Sequence, residues 1–64
     1  MNWNQLQYVR TIAEEKSITR AAQKLYLTQP SLSLSLKHLE EELGTPLFHR
    51  SPEGLTLTYA GELF

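Results

Sequence analysis

The sequence predicts a mainly α domain of three helices, a two-stranded β-hairpin and the start of a fourth helix. Three observations lead to this fold class. Apolar residues recur at helical spacing over the first two thirds of the chain. Serine or threonine, which cap helices well, precedes the second and third of these apolar runs. Two short alternating segments near the C-terminus flank a turn that contains proline and glycine.

The first two helices are predicted from apolar stripes. A first helix over about residues 4–15 carries apolar side chains at Leu6, Val9, Ile12 and Ala13. Ser17 offers a hydroxyl N-cap to a short second helix. The inner face of that helix comprises Ile18, Ala21, Ala22 and Leu25, and its exposed face comprises Arg20, Gln23 and Lys24.

The third helix competes with a strand, because Ser31–Leu36 alternates strictly between serine and leucine. Such alternation is typical of a half-buried strand. A longer pattern favours a helix, since the spacings are four, three and four residues between Leu32, Leu36, Leu39 and Leu43. Helix formers also continue the segment. The sequence therefore predicts a helix over residues 29–43, with Leu34 exposed about 200° away from Leu32.

Cap residues set the limits of this third helix. Thr28 can act as its N-cap, and Pro30 falls in the first turn, where a missing N–H costs nothing. Gly44 suits the position after the last helical residue, and Pro46 stops any continuation.

The end of the chain predicts a hairpin and one further helix turn. Apolar and polar residues alternate in the short segments 47–50 and 55–57, which lie on either side of the Ser-Pro-Glu-Gly turn at 51–54. Thr58 can cap a helix that begins at Tyr59. Three helices followed by a hairpin is the element order of a winged helix-turn-helix domain. In such a domain the third helix enters a DNA groove and the hairpin, or wing, flanks it.

Composition indicates one small globular domain. Of the 64 residues, 41% are hydrophobic and 20% charged, which argues against a disordered tail or a membrane span. No apolar run approaches the roughly 18 residues of a transmembrane helix, and the N-terminus lacks the order of a signal peptide. We therefore expect a cytoplasmic protein. The absence of cysteine excludes disulfides and thiolate zinc sites.

The charge distribution matters more than the net charge of −1, which is unusual for a free-standing nucleic-acid binder. Between Lys16 and His38 there are four bases and no acids, whereas five of the seven carboxylates cluster at 14–15 and 40–42. The helix-turn-helix segment is therefore locally positive. Lys16 and Lys24 can equally belong to an ordinary solvated face.

Five strings, in order, resemble the N-terminal DNA-binding domain of LysR-type transcriptional regulators. They are LQYVRTIAEE at 6–15, SITRAAQKL at 17–25, TQPSLS at 28–33, LEEELGTPLFHR at 39–50 and LTYAG at 57–61. A lone helix-turn-helix pattern is weak, but TQPSLS joined to LEEELGTPLFHR is specific. The resemblance covers nearly the whole chain.

This resemblance implies sequence-specific binding of double-stranded DNA in bacterial transcription, with helix 29–43 as the recognition helix. Residues 1–57 would form the winged helix-turn-helix domain, and 58–64 the start of a truncated linker and dimerisation helix. The full-length protein would be a homodimer or tetramer on an inverted-repeat operator, with a small-molecule effector bound by a C-terminal domain absent here. No cofactor, metal or membrane partner is implied, and the implied location is the nucleoid in the cytoplasm.

The predicted DNA-binding residues are Thr28, Gln29, Pro30, Ser31, Ser33, Leu34, Lys37 and Arg50. The Gln29 amide can pair with adenine, and short serines let a helix approach phosphates and bases closely. Lys37 and Arg50 suit phosphates. A structural role alone stays open for Gln29 and Pro30, since both residues suit the first turn of a helix.

Two features depart from the family pattern. Leu34 stands where many relatives have a long basic or polar side chain; it can contact thymine methyl groups, or be a tolerated surface leucine or a partner contact. At the hairpin, Glu53 and Thr56 replace frequent bases, which puts minor-groove reading by the wing in doubt and predicts weaker affinity.

Two other classes of function fit the sequence less well. An enzyme is disfavoured, because the chain lacks Asp and Cys, and neither His38 nor His49 has a nucleophile motif beside it. A metal site at His38 and Glu42 would have too few ligands. A winged module for protein association is the more serious alternative, favoured by the net acidity and an exposed Leu34.

Overall fold

The computed structural model of the chain describes residues 3–63, which form four helices and one antiparallel hairpin. Residues 1, 2 and 64, which belong to the predicted units 1–57 and 58–64, lie outside the described residues. The elements are α1 Trp3–Glu15, α2 Ile18–Lys24, α3 Gln29–Leu43, β1 Phe48–Ser51, β2 Gly54–Leu57 and α4 Tyr59–Leu63. The predicted fold class is confirmed, and α1 begins one residue earlier than expected.

The core lies where α1, α2 and α3 meet the hairpin. Its most deeply buried large side chains are Ile12, Leu32, Leu39 and Leu47. Ala21 and Ala22 are also buried, and their small size lets α2 approach its neighbours closely. Leu6 and Leu43, the outer members of the two predicted stripes, are 38% and 41% exposed, so these stripes are buried only in their middle parts.

Side-chain caps begin α2 and α3 as predicted. The Ser17 hydroxyl accepts the N–H of Arg20 at 3.2 Å, and the Thr28 hydroxyl accepts the N–H of Ser31 at 3.3 Å. At the other end of α3, Gly44 adopts a left-handed φ of 75°. Ser31–Leu36 is therefore helical, and the strand alternative is wrong.

Two turns use left-handed backbone without glycine. Lys16, between α1 and α2, has a φ of 57°, and Tyr26, between α2 and α3, has a φ of 59°. The second turn is closed by the Leu27 N–H, which donates to the Ala22 carbonyl at 2.8 Å. These tight turns fix the angles between the three helices.

The hairpin packs against the first of these turns. Phe48 pairs with Leu57 and Ser51 with Gly54, so Pro52 and Glu53 form a two-residue connection. Gly54 has a φ of 119°, and a Cβ there would lie 2.7 Å from the Lys16 carbonyl oxygen. The hairpin therefore lies against the turn between α1 and α2, and its strand β2 contacts α1.

The junction to α4 is held by Thr58. Its N–H donates to the Leu47 carbonyl at 2.9 Å, and its hydroxyl donates to the Pro46 carbonyl at 2.8 Å. The same hydroxyl accepts the Gly61 N–H at 3.0 Å, which confirms the predicted cap. A Cβ at Gly61 would overlap the Leu47 carbonyl, so α4 lies directly on that loop. Within residues 3–63, no helix combines the length and hydrophobicity needed to cross a bilayer.

Candidate nucleic-acid interface

The solvent-facing side of α3 is the first part of the candidate site. Leu32, Leu36 and Leu39 point into the core, so the opposite side of the helix is turned outward. Leu34 lies on that side and is 52% exposed, as predicted. Pro30 and Lys37, one turn before and one turn after it, are exposed as well.

Short hydroxyl side chains organise the N-terminal turn of α3. The Thr28 hydroxyl donates to the Ser31 hydroxyl at 2.8 Å, and the Gln29 Nε2 donates to the Ser33 hydroxyl at 2.8 Å. A glutamine amide carries two N–H donors and an acceptor oxygen. One bond to Ser33 therefore orients the amide and leaves a donor and the oxygen to pair with a ligand.

An open cleft joins this turn to the hairpin. It has a volume of about 370 Å³, and its polar lining includes Lys16, Ser17, Thr19, Gln29, Arg50 and Ser51. Gln29 and Arg50, far apart in sequence, thus face one cleft. Two of the lining residues are cations, so the cleft is suited to an anionic strand.

Sequence reasoning named Gln29 and Arg50 but missed Thr19 and Ser51, and it saw Ser17 only as a cap. It also left Lys16 between a contact and a solvated face. A signal for these residues was present, because SIT at 17–19 places two hydroxyls at a helix start, as TQPS does at 28–31.

All eight predicted site residues lie at or near the surface. Ser33 is half-buried and the other seven are exposed. Seven of the eight belong to α3 or its cap, and Arg50 lies across the cleft on β1. Their contact with DNA stays a prediction.

Of the residues that the structure describes, no acidic one lines the cleft of Gln29 and Arg50, but Glu40 and Glu41 share a separate groove with Lys37. Glu15 pairs with Lys24 at 3.4 Å, and the glutamates of α3 occupy its C-terminal part. The pair supports the solvated-face interpretation for Lys24. Glu53 is exposed at the hairpin tip, between Pro52 and Gly54, which line the cleft. Among residues 3–63, no three metal-ligating side chains come together.

The arrangement of α2, turn, α3 and flanking hairpin defines a winged helix-turn-helix protein. The sequence profile described as "Bacterial regulatory helix-turn-helix protein, lysR family" matches residues 3–62. The chain therefore belongs to the LysR family of bacterial regulatory proteins.

Similar proteins agree with this assignment. The chain is 50% identical to the HTH-type transcriptional regulator BudR of Klebsiella aerogenes, covering 100% of this chain and 45% of BudR. It is 52% identical to the HTH-type transcriptional regulator BsdA of Bacillus subtilis (strain 168), covering 100% of this chain and 22% of BsdA. The chain thus spans less than half the length of these curated relatives.

A solved structure is similar over the whole of this chain. The BenM DNA-binding domain in complex with catB site 1 DNA superposes with a TM-score of 0.93 at 41% identity. The match covers 100% of this chain and 72% of that one.

Proposed function

We propose that this chain binds double-stranded DNA sequence-specifically, as the DNA-binding domain of a bacterial LysR-type transcriptional regulator. One observation carries the proposal. The outward side of α3 has short side chains in its N-terminal half, and Gln29 at its start lines, with Arg50, a cleft that also holds the cation Lys16. The DNA complex of the similar BenM domain supports the same conclusion.

The dimensions of α3 suit the major groove. An α-helix with its side chains is about 10–12 Å wide, and the major groove of B-DNA is about 12 Å wide. Serines at 31, 33 and 35 keep the N-terminal half narrow, and no acid occurs between Lys16 and Leu39. The N-terminal half of α3 is therefore the part that enters the groove.

The side chains divide into base-reading and phosphate-binding groups. Gln29, oriented by Ser33, offers a donor and an acceptor that suit adenine N7 and N6. Lys37 and Arg50 neutralise phosphates, and the hydroxyls of Thr28 and Ser31 bond phosphate oxygens. Pro30 packs against sugar or base.

The same proposal assigns the ends of the chain. Residues 1–57 form the DNA-binding unit, and 58–64 begin the linker and dimerisation helix. A homodimer or tetramer then presents two copies of α3 about 34 Å apart, which matches successive major grooves of an inverted repeat. A small-molecule effector acts through a C-terminal domain of the whole regulator.

We further infer that the chain acts by binding and not by catalysis, because its relatives are named transcriptional regulators. A regulator of bacterial genes works on chromosomal DNA, so its place of action is the nucleoid in the cytoplasm.

The test is a selection from randomised duplexes, followed by a mobility-shift titration of the selected duplex over a range of salt concentrations. We expect the association constant to fall steeply with salt, because phosphate contacts release counterions. No shift at low salt, even with a full-length version of the chain, would contradict the proposal. Association that is insensitive to salt and indifferent to sequence would point to a protein-association module instead.

A further inference from the structure

Leu34 is an exposed leucine in the middle of an otherwise polar recognition surface. Its neighbours along the sequence, Ser33 and Ser35, are half-buried, while Leu32 and Leu36 face the core. On the outward side, Leu34 lies between Pro30 and the pair Lys37 and His38, at spacings of four, three and four. Its methyl groups therefore project from the part of α3 that our proposed function inserts into the groove.

The charged residues near Leu34 indicate what kind of surface it contacts. Lys37 follows it by one turn, and Arg50 lies across the cleft at the N-terminal end of the same helix. The first acid after Leu34 is Glu40, and its carboxylate accepts the Leu47 N–H at 2.6 Å. Glu41 lies on the same side of α3 as Leu34 but two turns further on, where it lines a groove with Lys37, so the acids lie beyond Lys37 toward the C-terminal end of the helix. The nearby cations favour an anionic partner, and the leucine favours an apolar group on that partner.

The floor of the major groove offers one such group. Guanine, adenine and cytosine present hydrogen-bonding atoms there, whereas thymine also presents its C5 methyl group. A leucine pressed on the polar edges would displace water without replacing its hydrogen bonds, which is unfavourable. A leucine pressed on a thymine methyl buries two apolar surfaces together.

We propose that Leu34 is a specificity-determining residue that reads the C5 methyl group of one thymine in each operator half-site. This inference rests on the proposed DNA-binding function and deepens it. Leu34 selects for thymine by apolar contact, and against G·C pairs because their polar groups would be left without partners. Gln29 and Leu34 then read different base pairs by different chemistry.

The experiment deletes the methyl group alone. In the selected duplex, each thymine is replaced in turn by deoxyuridine, which keeps every hydrogen bond, and binding of the 64-residue chain is measured at low salt. We expect one thymine per half-site at which the replacement weakens binding about fourfold, the effect of one buried methyl group. At that position, 5-methylcytosine should bind more tightly than cytosine by a similar factor.

Variants of the chain identify the residue that senses the methyl group. In Leu34→Ala, the deoxyuridine effect at that thymine should disappear, whereas Leu34→Met should retain it. Leu6→Ala removes a leucine from α1 that is 38% exposed, against 52% for Leu34, and should leave the effect unchanged. Circular dichroism and thermal unfolding check that each variant is folded.

The possible results separate the two proposals. If the chain binds its selected duplex in a salt-dependent way, but no deoxyuridine effect depends on residue 34, then the Leu34 inference is wrong and the DNA-binding function stands. If neither the chain nor the full-length regulator binds a duplex, both are wrong.

Discussion

The backbone N–H of Leu55 donates to the carbonyl oxygen of Lys16 at 3.0 Å, which ties the hairpin to the turn between α1 and α2. Lys16 offers this carbonyl from a left-handed conformation, with a φ of 57°. The bond acts together with the contacts between β2 and α1 to position the hairpin beside the turn from which α2 runs onto α3. The cleft lined by Gln29 and Arg50 lies next to this bond, since Lys16 and Leu55 line it too.

Gly54→Ala should destabilise the domain by about 1–3 kcal/mol, since the new Cβ would press on the Lys16 carbonyl from a strained backbone. Gly44→Ala is the matched control, because Gly44 also has a positive φ but nothing lies within 4 Å of its added Cβ. We expect Gly44→Ala to cost less, about 1 kcal/mol. Urea denaturation measures both, and equal losses would show that the hairpin does not press on the turn.

Leu32→Ala and Leu34→Ala should differ sharply in stability although both sit in the alternating segment. Leu32 is fully buried, so its truncation should cost about 2–5 kcal/mol in the free energy of unfolding. Leu34 is exposed, and its truncation should change that free energy by no more than about 0.5 kcal/mol. Thermal unfolding followed by circular dichroism makes the comparison. Similar losses would contradict the helical placement of these leucines.

Arg50→Ala and Gln29→Ala should weaken DNA binding in different ways. Loss of the Arg50 phosphate contact should lower the salt slope of binding by about one and affect all sequences alike. Loss of the Gln29 amide should leave the slope unchanged and relax the preference at one base pair by about 1–3 kcal/mol.

Fluorescence anisotropy on the selected duplex and its single-base variants separates these effects. Arg10→Ala, which removes an exposed cation from α1, is the control and should leave the slope as it is. A slope that falls as much in Arg10→Ala as in Arg50→Ala would argue against a specific contact by Arg50.

Glu53→Lys should strengthen DNA binding and steepen its salt dependence. Glu53 is exposed at the hairpin tip, where a carboxylate is repelled by phosphates. We expect the salt slope to increase by about one, because one new cation is brought to the backbone. Glu62→Lys makes the same change of charge on α4 and should have the smaller effect. If both variants behave alike, only net charge matters and the hairpin does not reach DNA.

The parts of the fold that the sequence predicted are those encoded locally. Ser17, Thr28 and Thr58 act as caps because a hydroxyl at a helix start satisfies a free N–H whatever lies around it. Leu34 was predicted to be exposed because helical spacing alone determines its side.

The missed features are of two kinds. Lys16 and Tyr26 adopt left-handed backbone without the glycine or asparagine that normally marks it. They lie at helix ends closed by local bonds from the Lys16 N–H to Ile12 and from the Leu27 N–H to Ala22. The place of Thr19 in the cleft depends on how the hairpin packs against the turn at Lys16, which no local pattern records. The candidate residues of α3 could thus be predicted from the sequence. Of the other cleft residues, Arg50 was predicted, whereas Thr19 and Ser51 were not.

The most direct test of the account is an NMR titration of the isotope-labelled chain with its selected duplex, with the amide shift changes assigned residue by residue. We predict that the largest changes fall in 28–38 and around Arg50, on the two sides of the cleft. The apolar surface formed by Trp3, Leu6 and Leu25, which lines a separate groove, should change little. Changes centred on that groove, with α3 unaffected, would contradict the claim that α3 and the hairpin form the DNA-binding surface.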